Sequence, residues 1–176
     1  ISFSSNPLST HSREEGSKKK MGIVGLGCKL PGPHTDIEDV ITLWDVMKSA
    51  EPNQTLDRIR APYHFPRSLF GLSEGESRAI HPLQRWALEV AHRVLEDGGI
   101  LHNRSGLCVG VFVGAWDPPP EGRDSSLYAL AGERMSIIAN RISYIFDLKG
   151  PSMVIDTACS SSLAALSVAM SSIEKG

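Results

Sequence analysis

Ser152-Met153-Val154-Ile155-Asp156-Thr157-Ala158-Cys159-Ser160-Ser161-Ser162-Leu163 is the stretch on which the fold turns. Ser152 to Ile155 reads as a short buried strand. Ser160 to Ile173 is a run of Ser, Ala, Leu, Val and Met without Gly or Pro, which predicts a helix. Cys159 therefore falls at a strand-to-helix junction, at or near a helix N-terminus. Unpaired backbone N–H groups and the positive end of the helix dipole converge there, which favours a thiolate and offers donors to an acyl oxyanion. The predicted chemistry is thioester formation. A lone free cysteine is more often a small, inert core residue, but the helix after Cys159 is apolar nearly all round. Leu163, Leu166, Met170 and Ile173 lie on one side, with Ala164, Ala165, Val168 and Ala169 elsewhere. Such a helix belongs inside a layered domain, so the cysteine is expected on the floor of an interior cleft. An α/β-hydrolase elbow would need Gly two residues before and after the nucleophile, where this chain has Thr157 and Ser161.

Working outward, residues 1–20 are rich in Ser, Lys, Glu and Gly and read as a disordered linker or tail. The Lys18-Lys19-Lys20 run is most simply a solvated patch. Gly22 to Gly27 alternates small and apolar residues as a buried strand would. Its glycines do not make a dinucleotide fingerprint, because the third glycine is missing and Pro31-Gly32-Pro33 blocks the helix a pyrophosphate would need. Asp36 to Ala50 carries Ile37, Val40, Ile41, Trp44 and Met47 at helical spacing, predicting a surface helix with one buried face and Asp36 as N-cap. From Glu51 to Gly75 the pattern dissolves into a long loop pinned by Phe65 and Phe70.

Leu83, Trp86, Ala87, Val90, Ala91, Val94 and Leu95 follow the spacing of an amphipathic helix. Pro82 stands in its first turn, His81 at the N-cap, and Gly98-Gly99 ends it. Cys108 to Val113 reads as a further buried strand, Pro118-Pro119-Pro120 opens an exposed loop, and Leu130 to Phe146 is mostly helical. The order of elements predicts a layered α/β domain.

Bulk properties narrow the function classes. A chain of 176 residues can bury one core. With 41% hydrophobic residues, 22% charged and a net charge of −2, nothing in it calls for nucleic acid or membrane. Cys28, Cys108 and Cys159 make neither a disulfide framework nor a CxxC metal site. A reducing, cytoplasmic compartment fits best, and an organelle stays open because a leader can precede Ile1. The opening Ile1, in place of Met, suggests a chain cut from a longer polypeptide.

Asn140-Arg141-Ile142-Ser143-Tyr144-Ile145-Phe146, Lys149-Gly150-Pro151-Ser152 and DTACSSSLAAL together resemble the active-site region of β-ketoacyl synthases. The likeness is to the ketosynthase domains of type I polyketide synthases and animal-type fatty acid synthases. Ile23 to Gly32, with its GLGCKLPG run, resembles the opening of that domain. Leu83-Gln84-Arg85 through Ile100 resembles its next long helix, and Val109 to Gly114 the strand after it. The likeness runs over residues 21–176, in the family's order, as an N-terminal portion only. The family's loop between Glu51 and Gly75 is longer, and the family usually has Asp where this chain has His81.

The resemblance implies an incomplete, N-terminal part of a thiolase-like layered αβαβα fold. It makes Cys159 the acyl acceptor, taking its acyl group from the phosphopantetheine of an acyl carrier protein, with no bound cofactor and no metal. Condensation with a decarboxylated malonyl-type extender would then use two histidines and a lysine of the family's second half-domain. His11, His34, His64, His81, His92 and His102 do not stand in the Gly-flanked contexts of that pair. This segment alone is therefore expected to lack condensation activity. The family dimerises by pairing the strand before the nucleophile, here Ser152 to Ile155. Two alternatives stay open: a truncated, condensation-inactive copy that only binds a partner, and a relative that exchanges thioesters without decarboxylation.

Overall fold

A serine three residues ahead of a glutamate is a local instruction to start a helix, and Ser73 and Glu76 carry it out. Glu76 donates its backbone N–H to Ser73 Oγ at 3.2 Å, and its carboxylate accepts from the Ser73 N–H at 3.1 Å. In the computed structural model, which describes residues 21–31, 36–49, 65–102, 108–116, 132 and 134–175, this box opens the second of the five named α-helices among the described residues. Their order with the strands is α1 (Val40–Ser49), α2 (Glu74–Ala79), α3 (Pro82–Asp97), β1 (Val111–Gly114), α4 (Ile138–Ile145), β2 (Ser152–Ile155) and α5 (Ser161–Lys175). The predicted tail at 1–20 and the loop at Pro118-Pro119-Pro120 lie outside the described residues.

Helix α3 forms where its spacing predicts. His81 Nδ1 accepts the Leu83 N–H at 3.2 Å, Pro82 fills the first position, and Gly98 is the C-cap. Its buried side chains are Gln84, Leu88 and Leu95. Leu88 and Leu95 join Phe70, Leu72, Ile80, Ile142, Phe146 and Leu148 in the core. Each such side chain fully removed from water stabilises by about 1.5–3 kcal/mol. Phe65 stacks on Phe70 with ring centroids 5.2 Å apart, and Phe70 meets Phe146 edge-on at 6.2 Å. Phe65 and Phe70 thus anchor the described end of the predicted long loop, whose residues 51–64 lie outside the described residues.

Strands β1 and β2 pair in parallel, with Val111 opposite Ser152 and Gly114 opposite Ile155. Parallel neighbours need a crossover, and α4 lies on that crossover, packing against both strands and against α3. Val109, Val111 and Val113 pack on the core that α3 and α4 supply. Ser152 Oγ also meets Asn140 Oδ1 of α4 at 2.8 Å.

Three expectations need correction. Gly22 to Gly27 is not a strand: Ile23 and Val24 are 83% and 70% exposed. The segment lies along the C-terminal half of α3 instead, where Leu26 donates its N–H to Asp97 Oδ2 at 2.8 Å and Gly25 rests against the Val94 carbonyl. Ion pairs hold the neighbouring residues in place, from Lys29 to Glu89 and Glu38 and from Arg93 to Glu38. Next, the first helix begins at Val40, not Asp36. Its cap is Asp39, whose carboxylate accepts from the Thr42 N–H at 2.8 Å and hydroxyl at 2.6 Å, while residues 30 and 37 are taken up by an antiparallel bridge. Finally, α1 buries none of its residues, so the face of Ile41, Trp44 and Met47 is exposed.

Candidate active site

The turn between β2 and α5 is built by short polar side chains folding back on their own backbone. Asp156 Oδ1 accepts the Ala158 N–H at 3.0 Å. Ser160 Oγ donates to the Thr157 carbonyl at 2.8 Å and lies 2.9 Å from Thr157 Oγ1. Ser161 Oγ accepts the Thr157 N–H at 2.9 Å and donates to the Ala158 carbonyl at 2.7 Å. Asp156, Ser160 and Ser161 thus hold the turn through Thr157 and Ala158. Within it, Ala158 has φ +55°, in the left-handed region. That conformation costs a non-glycine residue about 1–2 kcal/mol. The next residue, Cys159, stands on the single 3-10 turn Ala158–Ser160, two residues ahead of α5.

Cys159 is exposed. Among the described residues no acceptor meets its backbone N–H, which leaves that donor free for an oxygen on an attacked carbonyl. The expected interior cleft is not where the cysteine lies. An apolar cavity of about 660 Å³ opens between α3, β1 and α5, walled in part by Val94, Val111, Val113 and Ala165. It reaches α5 at Ser162 and does not include Cys159. The α5 helix is also not enclosed: it buries Ser161 and Ala165, whereas Leu163 is 73% exposed and Leu166, Met170 and Ile173 are exposed with it.

Two of the described histidines, His81 and His92, do structural work, while His102 is exposed. His81 caps α3, and His92 sits among Phe70 and Phe146, with centroids 6.3 Å from each. Among the described residues, no three His, Cys, Asp or Glu side chains are grouped to hold a metal. Cys28 is half-buried. Burial, followed by the charges of Asp39 and Glu38, raises its thiol pKa, and Arg93 opposes the shift. Cys108 is exposed.

Two features had no sequence signal strong enough to name them: the left-handed Ala158, and the close seat of Gly114 under the start of α5. A Cβ at Gly114 would stand 2.6 Å from the Ser161 carbonyl carbon and the Ser162 nitrogen. A glycine closing a strand is the one hint.

A family model described as β-ketoacyl synthase, N-terminal domain, matches residues 41–176. The chain belongs to the β-ketoacyl synthase family. Ketosynthases among solved structures share its fold. One from module 6 of the bacillaene synthase of Bacillus subtilis 168 superposes with a TM-score of 0.64 at 28% identity, over 85% of this chain and 28% of that one. The oxazolomycin ketosynthase domain OzmH KS8 of Streptomyces albus JA3453 gives 0.62 at 28% identity, over 88% and 36%. The chain is thus an incomplete part of the thiolase-like ketosynthase fold. Among curated proteins, it is 33% identical over 90% of its length to a highly reducing polyketide synthase of Emericella nidulans. It is 34% identical over 89% to prosolanapyrone synthase of Alternaria solani. It spans 8% and 7% of those two relatives. Among the described residues, no helix of this ketosynthase segment is long and apolar enough to cross a membrane.

Proposed function

We propose that Cys159 is the acyl-accepting nucleophile of a β-ketoacyl-[acyl carrier protein] synthase acting in polyketide assembly. The observation that carries this reading is an exposed thiol on a strained strand-turn-helix junction with an open backbone donor beside it. The thiolate attacks the carbonyl carbon of an acyl thioester on the phosphopantetheine arm of an acyl carrier protein. A new S–C bond forms and the oxyanion collapses. The pantetheine sulfur leaves and takes up a proton, so that one thioester is exchanged for another. In the second half-reaction a malonyl-type extender loses CO2, its carbanion bonds to the acyl carbonyl carbon, and the Cys159 thiolate is released.

That second step needs donors to polarise the extender's carbonyl. His81 caps α3, His92 packs in the aromatic core, and none of the six histidines stands in the Gly-flanked contexts of the family's pair. We place this chemistry outside the present segment. The outer edge of β2, Ser152–Ile155, is the surface we assign to pairing between two copies of the complete domain; Met153 is exposed there.

The test is incubation of the full-length protein with an acyl-pantetheine thioester, followed by intact and peptide mass measurement. The expected result is a single acyl adduct on the peptide bearing Cys159, lost in Cys159→Ala. No adduct in the wild type would overturn the reading and favour a copy that only binds a partner. An adduct without carbon–carbon bond formation from a malonyl thioester would favour simple thioester exchange.

A further inference from the structure

We propose that Ser161, seated on Gly114, is the positioning residue that aims the Cys159 thiol during acyl transfer; this rests on the assignment of Cys159 above. Helical serines commonly bond back to a carbonyl one turn behind, and Ser161 does so from the first position of α5, where the turn behind it is the one that carries Cys159. Its Oγ accepts from the Thr157 N–H at 2.9 Å and donates to the Ala158 carbonyl at 2.7 Å, so both bonds run backwards into the turn that carries Cys159. The hydroxyl is engaged both as donor and as acceptor, and the residue is only 6% exposed.

The turn needs such a brace. With Ala158 at φ +55°, its backbone does not rest in a locally preferred conformation. Relaxing that angle would swing the peptide leading into Cys159. Ser161 ties together the two residues immediately upstream of the cysteine, and so opposes that swing.

The brace is itself fixed to the sheet. Gly114 is paired with Ile155, and the Ala115 N–H donates to the Ile155 carbonyl at 3.2 Å. The face of Gly114 lies against the Ser161 backbone with no room for a methyl group. The end of β2 before the turn and the start of α5 after it are therefore both referred to one point on β1. That shared reference sets the position of the sulfur relative to an incoming carbonyl.

The experiment compares two reactions of Cys159 in the full-length protein. One is acyl transfer from an acyl-pantetheine thioester, which demands an aligned approach. The other is alkylation by iodoacetamide across a pH series, which samples thiolate with little demand on direction. For Ser161→Ala the expected result is a loss of about 100-fold in acyl transfer, with the high-pH alkylation rate within about threefold of wild type. Gly114→Ala should show the same selective loss, and Ser161→Thr, which keeps the hydroxyl, should recover most of it. Equal losses in both reactions, wild-type acyl transfer in Ser161→Ala, or no recovery in Ser161→Thr would each overturn the proposal. So would unfolding of both Ser161→Ala and Gly114→Ala by circular dichroism, since a purely structural role then suffices. If the wild type forms no acyl adduct, the assignment of Cys159 is what fails, which separates the two outcomes.

Discussion

Replacing Gln84 by Met should destabilise the domain by about 3 kcal/mol. Gln84 is fully buried on α3, and its side-chain amide bonds three partners among the described residues. Nε2 donates to the Gly132 carbonyl at 2.9 Å and the Arg134 carbonyl at 3.0 Å, while Oε1 accepts from Arg141 Nε at 2.8 Å. Gln84→Met keeps the length of the side chain and removes all three bonds. Two neutral bonds at about 1 kcal/mol each and one to a guanidinium at about 2 kcal/mol come to about 4 kcal/mol. The greater apolar character of Met returns about 1 kcal/mol. The assay is urea unfolding of the complete ketosynthase domain, followed by tryptophan fluorescence, for Gln84→Met, Arg141→Met and the pair. Because both residues share one bond, the double variant should fall short of the sum by about 1–2 kcal/mol. A loss under about 1 kcal/mol for Gln84→Met, or strict additivity, would refute the view that this network ties α4 and the residues before it to α3.

Other variants probe separate links. Leu88→Ala, at a fully buried core position, should cost about 2–5 kcal/mol in the same assay; a change within about 0.5 kcal/mol would show that the core is not centred there. Gly132→Ala would drive a Cβ into the Ala79 carbonyl, so the domain should lose its sharp thermal transition or melt well below wild type, and an unchanged melt would count against that contact. The raised Cys28 thiol holds less thiolate at a given pH than an ordinary cysteine. At about pH 8 peptide mapping should therefore find Cys108 and Cys159, both exposed, alkylated before Cys28; labelling of Cys28 first would contradict the stated cause. Residues 1–176 expressed alone should bind a hydrophobic dye and aggregate through the exposed Leu163, Leu166 and Ile173 of α5, and a dye-silent monomer with a cooperative melt would refute this.

Much of the scaffold was legible because its signals are local. The apolar spacing from Leu83 to Leu95, with Pro82 before it and Gly98 after it, describes α3 almost to the residue. The β-branched run ahead of Cys159 and the Ser-Ala-Leu run after it describe the β2 and α5 junction. The hidden parts depend on partners distant in the chain. The Gly22 to Gly27 run has the alternation of a strand, but backbone contacts at Asp97 and Val94 and ion pairs at Glu89 and Glu38 draw that region onto a helix. The apolar positions of α5 say that the helix should be covered, and the structure shows the described part of the fold leaving them open. The left-handed turn at Ala158 carries no mark in its residue type, since alanine gives no hint of a positive φ; only the polar residues around it show that a turn is held there.

The seat of α5 on Gly114 also bears on how the sheet finds its register. Parallel strands of β-branched residues such as those of β1 and β2 could slide by a residue with little change in backbone bonding, and such a slip would reverse every side chain. With the pairing shifted by one, Val113 or Ala115 would arrive beneath the first turn of the helix, where even a single methyl group meets the Ser161 backbone. The helix could not then dock. Closure of α5 thus acts as a proofreading step on strand pairing, accepting the one alignment that brings a residue without a side chain under the turn that carries Cys159.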